Sequence, residues 1–148
     1  MNRRDLLRFV AAAALAPAAG ALAACDPVSL VADMNAGPQF MEFFLRDLRT
    51  GKADQAYART TERFRKNMTL AEFEAVVREN GLKETAAVSW PNQSYSSTWN
   101  PWGGSTEIQL SGTVRLSAGK RKIGVTLQQK SRGPLQLDSW TLGPSTVA

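Results

Sequence analysis

The chain has no histidine and only one cysteine among its 148 residues. Histidine is the commonest general base and the commonest metal ligand, so its absence excludes catalytic triads and metal sites that require an imidazole. The cysteine, Cys25, has no partner within the chain and therefore forms no internal disulfide. Carboxylates are the main groups left for acid–base chemistry.

A glycine-rich phosphate-binding loop is also lacking, because the Gly103-Gly104 pair is not followed by a lysine and a helix. Three carboxylates lie on predicted helices or strands, and we expect each to be a surface charge or a partner of an arginine: Asp47, Glu107 and Asp138. The sequence therefore predicts no catalytic residue, no cofactor and no metal site, as in a protein that is not an enzyme.

No apolar run is long enough for a transmembrane helix. The apolar stretch "FVAAAALAPAAGA" follows the basic "MNRRDLLR" and ends at the small residues "LAAC". It is about 13 residues long, whereas a membrane-spanning helix needs about 20 apolar residues. A basic segment, a short apolar segment and a small-residue site are typical of an export signal peptide, which we place at residues 1–24.

Two motifs in this segment resemble bacterial export signals. Arg3-Arg4 before a hydrophobic pair resembles the twin-arginine signal, although an ordinary secretory signal also tolerates two arginines. Leu22-Ala23-Ala24-Cys25 resembles the lipobox of bacterial lipoproteins. This resemblance implies that Cys25 carries diacylglycerol and acyl chains such as palmitate, and that cleavage makes it the N-terminus of a membrane-anchored protein facing the periplasm.

The charge of the chain gives little support for nucleic-acid binding. The net charge of +5 falls to +3 when the predicted signal peptide is removed, because three arginines and one aspartate leave with it. The densest basic cluster is "KRK" at 120–122, which we interpret as a solvated hairpin tip. The expected partners are the membrane, through the lipid on Cys25, and a protein of the envelope, but no nucleic acid.

The chain after Cys25 divides into a tether at 25–37, a single domain at 38–143 and a frayed tail at 144–148. Apolar spacings of three and four predict a first helix with Phe40, Phe43, Phe44 and Leu48 on one face, ended by Gly51. A second helical segment follows, with a break at Thr60-Thr61. A third helix over about 70–80 has a capping box and a buried stripe of Leu70, Phe73, Val76 and Val77.

After Gly81 the apolar period changes from about four to two, which indicates strands. "IQLSGTVRL" alternates cleanly, "SAGK" predicts a hairpin turn, and Ile123, Val125 and Leu127 alternate in turn. The apolar phase shifts between Leu137 and Trp140, which suggests a bulge or burial on both faces. Helices followed by an antiparallel meander predict an α+β fold, with the helices on one face of the sheet.

One segment between the helices and these strands stands apart: "WPNQSYSSTWNPWGG", residues 90–104. It contains three of the four tryptophans, and beyond Trp90 we interpret it as an aperiodic loop. Tyr95, Trp99 and Trp102 are the candidate recognition residues, since aromatic side chains with one polar group are favoured at binding surfaces. The alternative is that the tryptophans fill the core or cap the sheet. We expect Trp90 in the core and at least one of Trp99 and Trp102 to be exposed.

The segment "FFLRDLRTGKADQAYARTTERFRKNMTLAEFEAVV" resembles the helical half of nuclear transport factor 2-like, or cystatin-like, bacterial lipoprotein domains. The resemblance covers about residues 38–143 and implies helices packed into a curved, cone-like antiparallel sheet. It implies no activity: enzymes of this family typically place His, Asp or Tyr in the cone, and this chain has no histidine to place there. We therefore expect a non-catalytic binding or accessory module; the alternative is a small-ligand-binding or enzymatic domain that uses the pocket of the cone.

Overall fold

The computed structural model describes residues 35–131 and 133–146. Within these residues, four helices and a short 3₁₀ turn precede a four-stranded antiparallel sheet. The elements are α1 (Ala36–Arg49), α2 (Ala53–Ala58), α3 (Glu62–Asn67), α4 (Leu70–Glu79), the 3₁₀ turn (Leu82–Glu84), β1 (Ala87–Asn100), β2 (Gly103–Leu116), β3 (Gly119–Lys130) and β4 (Gln136–Thr146). The predicted α+β class, with helices first and an antiparallel meander second, is confirmed.

Helix α1 begins inside the segment that was predicted to be a tether, and its buried face differs from the predicted one. The buried apolar residues of α1 are Met41, Phe44, Leu45 and Leu48, whereas Phe43 is exposed. Its ring instead lies 4.6 Å from the guanidinium carbon of Arg46. The prediction placed the face richest in aromatic residues toward the core. In the structure the buried face instead includes Met41 and Leu45.

The break predicted at Thr60-Thr61 is confirmed, and it joins the helices to the last strand. Thr61 caps α3, because its hydroxyl accepts a hydrogen bond from the Phe64 amide. The Thr61 amide donates to the Leu137 carbonyl at 2.8 Å, and the Leu137 amide donates to the Arg59 carbonyl at 2.9 Å. The interruption of the helix therefore frees backbone groups that pair with β4.

Helix α4 has the predicted capping box, with both Thr69 and Glu72 in place. Phe73 and Val77 are fully buried, but Leu70 is 36% exposed and lies outside the buried stripe where we had placed it. Leu70 occupies the first turn, where the helix end is solvated. Gly81 follows with a left-handed φ of 66°, and Leu82 then turns back into the core.

The sheet is not closed, since its strand order is β1-β2-β3-β4 and both outer strands are edges. Three bulges interrupt its ladders, and bulges bend a strand and increase its twist. Trp90 and Pro91 lie opposite Gly112, Asp138 is the extra residue between Leu137 and Ser139, and a third irregularity lies in β4 near Gly143. The bulge predicted from the phase shift before Trp140 is confirmed.

Two segments that were predicted to be irregular are strands. Residues 92–100 continue β1 through the bulge at Pro91, so this part of the segment is not an aperiodic loop. The predicted frayed tail is also wrong in part, because β4 runs to Thr146. The outer half of β1 carries exposed Ser, Thr and Asn side chains and therefore has no alternation of apolar residues. A prediction based on apolar alternation does not detect a strand of this kind.

An aromatic cluster connects the helices to the sheet. Phe73 of α4 is fully buried, and its ring contacts at least one aromatic side chain from each of the other three helices and from β4: Phe44, Tyr57, Phe64 and Trp140. Its centroid is 5.5 Å from that of Trp140, with the two rings stacked. The core therefore lies between the helices and one face of the sheet, and the other face is polar.

Within the described ranges, none of the helices has the length and apolar character needed to cross a membrane.

Candidate functional site

The most exposed large apolar side chains lie at the tip of the β1–β2 hairpin. Trp102 is 95% exposed and Trp99 is 61% exposed. Asn100 pairs with Gly103, so Pro101 and Trp102 form a two-residue turn between the strands. The backbone amide of Trp102 donates to the Asn100 side-chain oxygen at 3.0 Å. The expectation that at least one of these tryptophans is exposed is confirmed for both.

Tyr95 and Trp99 lie on the face of β1 that carries Ile108 of the neighbouring strand. Tyr95 is half-buried, packs against the core, and donates from its hydroxyl to Gln93 at 2.9 Å. Four residues further along β1, the Trp99 ring lies over Gly104, where a Cβ atom would stand 3.4 Å from the indole. The structure therefore places Tyr95 at the edge of the core and the two indoles beyond it.

Trp90, which was predicted to behave as a core residue, is half-buried and packs against the core cluster. It occupies the bulge of β1 opposite Gly112, where the strands are so close that a Cβ on Gly112 would stand 1.8 Å from the Ser89 carbonyl oxygen. Only glycine fits there.

The hairpin that carries the indoles is also free of charge over a long stretch. No Asp, Glu, Lys or Arg occurs between Glu84 and Glu107, a stretch that includes all of β1 and the turn. Exposed strand edges are usually protected by charged side chains, and β1 has none. Pro91 and the bulge at Trp90 are the features that interrupt this edge.

Asp47 and Asp138 are the buried carboxylates of the described residues, and of the two alternatives expected for them, surface charge or arginine partner, the structure shows the second. Asp47 accepts from Arg59 Nε at 3.1 Å. Asp138 is 4% exposed because the β4 bulge turns it inward, where it accepts from the Thr61 hydroxyl at 2.8 Å and from the guanidinium of Arg63. Glu107 accepts from the Gln109 side-chain amide at 2.7 Å. The contacts of Asp47 and Asp138 connect separate elements of the fold, whereas the Glu107 contact is an exposed one within β2.

The role of Asp138 was the main one that sequence reasoning missed. The phase shift between Leu137 and Trp140 indicated a bulge, and two residues, Asp138 and Ser139, lie between them. The pairing of Leu137 with Leu127 and of Ser139 with Thr126 makes Asp138 the extra residue. Neither this choice nor the partners of Asp138 on the helical side could be foreseen from β4 alone.

Four cationic side chains, here called the basic group, lie on α3 and at the end of β3: Arg63, Arg65, Lys66 and Lys130. Lys66 Nζ stands 2.9 Å from Glu62 Oε1. The hydrogen bond and charge of Lys66 lower the pKa of Glu62, with smaller contributions from Lys130 and Arg65. Because Lys130 pairs with Ser105 of β2, the basic group lies at the same end of the sheet as the tryptophan tip.

An open cleft of about 510 Å³ lies between α1 and the beginning of β1. Its wall includes Glu42, Arg49 and Trp90, together with polar side chains from the start of α1. This is the candidate pocket for a small ligand. In the described part of the chain, no three acidic, histidine or cysteine side chains are grouped so that they could hold a metal ion.

Cys25, Arg3 and Arg4, the predicted lipid-attachment and export residues, lie outside the described residues. The structure therefore brings together Trp99 and Trp102, places Tyr95 near them on the same strand, and says nothing of the other three.

Comparison with protein-family models and with curated proteins gives no match for this chain.

Proposed function

We propose that the protein is a membrane-anchored bacterial lipoprotein that acts as a non-catalytic binding module on the periplasmic face. Its anchor is the lipid on Cys25, and its contact surface is the tip of the β1–β2 hairpin. One observation carries the binding role: two indoles project from a hairpin whose parent domain already has a filled aromatic core. Isolated exposed apolar residues are normal, but two indoles at one tip form a concentrated apolar surface.

The anchor is supported by the order of segments at the start of the sequence. A basic segment, a short apolar run and a lipobox ending in Cys25 follow one another in the order that lipoprotein export requires. The thiolate of a cysteine is the nucleophile that accepts the lipid, which explains why a chain with no other cysteine keeps this one.

The non-catalytic role is supported by how the buried polar groups are used. Asp47 and Asp138, the two buried carboxylates of the described residues, each have an arginine partner, and Thr61 adds a second partner to Asp138. Among the described residues, no buried side-chain nitrogen or oxygen is without a hydrogen-bond partner. Catalytic acids and bases are usually groups whose environment leaves them poised to exchange a proton, and these carboxylates are held by structural contacts.

We also propose that the domain has the nuclear transport factor 2-like architecture. Its support is the position of the four described helices before a single antiparallel meander, together with three bulges, a feature that bends strands. The name is proposed for the fold alone and brings no activity with it.

A second candidate function, the binding of a small ligand, is favoured by the cleft beside α1. Trp90 lies in its wall, together with Glu42 and Arg49 of α1, so the cleft offers an aromatic surface and charges of both signs. A ligand that changes the fluorescence of the wild type but not that of Trp90→Phe would support this candidate. A panel of envelope metabolites that leaves both proteins unchanged would count against it.

The anchor is tested by Cys25→Ser. The variant is expected to accumulate as an uncleaved precursor and to incorporate no fatty acid, because serine provides no thiolate. Normal acyl labelling of Cys25→Ser would rule out this anchor.

The binding role is tested by the reactivity of Trp102 toward a water-soluble reagent that modifies indoles. In purified protein Trp102 is expected to react readily, since it is almost fully exposed. In intact envelopes an occupant of the tip should protect it, whatever the chemistry of that occupant. The half-buried Trp140 serves as the internal reference. Equal reactivity of Trp102 in both settings would contradict the binding role.

A further inference from the structure

The occupant of the hairpin tip can be argued from the shape and chemistry of its end of the molecule. The indoles of Trp99 and Trp102 have a large apolar area and a single N–H donor each, and the turn between them contains a proline. Indoles of this kind are enriched at the level of lipid headgroups, where one side is apolar and the other is wet. No charged side chain occurs from Thr85 to Thr106, so none would have to leave water where the indoles approach the acyl chains.

The charges around the tip have the sign that an anionic lipid surface attracts. The β3–β4 turn lies beside the tip, because the Ser131 amide donates to the Gly104 carbonyl at 2.8 Å. Lys130 precedes that turn, and the rest of the basic group lies next to it on α3. Four cations stand there against two carboxylates, Glu62 and Asp138, which leaves a net positive charge. Cationic clusters near a membrane are attracted to anionic headgroups within about a Debye length.

Helix α1 begins over the middle of β2, and its first turn is nearer the tip than its last turn is. Gly37, in the first turn, is so close to the sheet that a Cβ there would stand 3.2 Å from Ile108 and 3.3 Å from Leu110. The helix then runs away from the tip, and Arg49 at its end donates to the Thr85 carbonyl at 3.3 Å. Ile108 is five positions from Gly103, or about 17 Å along the strand.

The segment between Cys25 and Asn35 is long enough to let the lipid and the indoles reach one surface. Nine residues separate these two positions. A chain of this length spans at most about 35 Å when extended. The start of α1 is about half that distance from the tip, measured along the sheet, so a lipid on Cys25 does not hold the tip away from the bilayer.

We propose that the tip of the β1–β2 hairpin docks on the bilayer that holds the lipid anchor, with Trp99 and Trp102 in the headgroup layer and the basic group facing anionic lipids. This inference rests on the proposed function, because it names the occupant of the same contact surface. The domain then has two attachments to the membrane, a covalent lipid and a reversible tip, which together fix its orientation.

The test uses the full chain purified from membranes and added to vesicles at saturating lipid. One set of vesicles contains phosphatidylethanolamine and phosphatidylglycerol, and the other contains phosphatidylcholine alone; each is made with and without bromine on the upper acyl chain. Bromine quenches the fluorescence of indoles that enter the membrane. The quenching ratio, which is the fluorescence on brominated vesicles divided by that on unbrominated vesicles, corrects for the number of tryptophans in a variant. The wild type is expected to be quenched and blue-shifted, more strongly on the anionic vesicles.

Variants separate the tip from the rest of the protein. Trp99→Ser with Trp102→Ser should lose most of the quenching, whereas Trp140→Phe, which changes a half-buried ring of the aromatic cluster, should retain it. Lys130→Glu should reduce quenching on anionic vesicles, and Lys122→Glu, at the opposite end of β3, is the matched control that should leave it unchanged. Thermal melts establish that each variant is folded before its quenching is compared.

The outcomes for the tip and for the anchor are distinct. The mass of the peptide containing Cys25 shows whether the lipid is attached, and the quenching ratio reports on the tip with or without it. An acylated protein that floats with vesicles but shows no quenching overturns the lipid inference and leaves the anchor standing. Protection of Trp102 in native envelopes without quenching in vesicles overturns it too, and indicates a protein or glycan at the tip. A quenched protein without acyl chains supports the tip and refutes the anchor.

Discussion

At the scale of single residues, stability depends on which partner of a pair is buried. Arg63 and Asp138 form an ion pair in which the arginine side chain is 67% exposed and the aspartate side chain 1% exposed. Surface ion pairs contribute little, but removing the partner of a buried charge leaves that charge unsatisfied. Arg63 is therefore expected to contribute to stability although its own side chain is largely exposed, because its partner Asp138 is buried.

We expect Arg63→Ala to destabilise the domain by about 1–3 kcal/mol, because Asp138 would keep only the Thr61 hydroxyl as a side-chain partner. Lys66→Ala is the matched control on the same helix. Lys66 is 73% exposed and pairs with Glu62, which is 76% exposed, so its loss should change stability by less than about 0.5 kcal/mol. Urea unfolding of both variants measures the difference. Equal effects from the two substitutions would show that the Asp138 pair contributes no more than a surface pair.

At the scale of elements, α4 shows what a local sequence motif can specify. Thr69 and Glu72 make reciprocal hydrogen bonds: the Glu72 amide donates to the Thr69 hydroxyl at 3.3 Å, and the Thr69 amide donates to the Glu72 carboxylate at 2.7 Å. These contacts satisfy amides that the helix leaves without intrahelical acceptors. The start of α4 could therefore be predicted from the sequence, since all its determinants lie within four residues.

We expect Thr69→Ala to lower the free energy of unfolding by about 0.5–2 kcal/mol through loss of this cap. Ser94→Ala, which removes a hydroxyl from an exposed position of β1, is the control and should change it by less than about 0.5 kcal/mol. Chemical denaturation at neutral pH compares the two. A Thr69→Ala protein as stable as Ser94→Ala would mean that the capping box does not stabilise the helix.

The same box makes a prediction about pH. The hydrogen bonds from the Thr69 amide and hydroxyl lower the pKa of Glu72 from its ordinary value of 4.5. A lowered pKa in the folded state means that the ionised carboxylate stabilises the fold above the ordinary pKa, and that this contribution is lost as pH falls through the lowered value. The wild type should thus exceed Glu72→Gln in stability at neutral pH, and the gap should narrow in acid below about pH 4.5. Thermal melts of both proteins across this pH range measure the difference in stability. A difference that widens in acid would refute the stabilising role of the Glu72 carboxylate.

Glu74→Gln is the control, because it removes a negative charge from α4 without affecting the capping box.

Other elements could not be predicted because their determinants are distant in sequence. The alternation in β2 and β3 and the hairpin turn between them were clear, since each has a buried face with a period of two. The outer half of β1 has exposed Ser, Thr and Asn on its surface, and its strand character comes from pairing with β2. In α1, the sequence allows either Phe43 or Phe44 to face the core. Packing of the helix against the sheet, which the local sequence does not show, buries Phe44 and leaves Phe43 exposed. The exposed tryptophans were predicted from their setting between proline and glycine, but the hairpin that presents them was not.

At the scale of the whole molecule, the helical layer and the sheet share one core through Phe73. Its ring contacts rings from α1, α2, α3 and β4, and the Thr61–Leu137 and Leu137–Arg59 hydrogen bonds add a backbone connection between the two layers. Neither layer has a second core of its own among the described residues, since all the buried apolar residues form a single cluster. Small domains with one core usually unfold in a single cooperative step.

We therefore expect Phe73→Ala to destabilise helices and sheet together, by about 3–5 kcal/mol, because it opens a cavity at the point where every helix and β4 meet. Phe43→Ala is the matched control: the same residue type, also on a helix, but 46% exposed, so its loss should cost under about 1 kcal/mol. Thermal unfolding followed by far-ultraviolet circular dichroism reports the helices, and the near-ultraviolet signal reports the packed aromatic side chains, which include Trp90 and Trp140 of the sheet. The two transitions should shift by the same amount in Phe73→Ala and remain superimposed. If the helical signal melts first while the near-ultraviolet signal keeps its wild-type midpoint, the two layers are stabilised separately and Phe73 does not unite them.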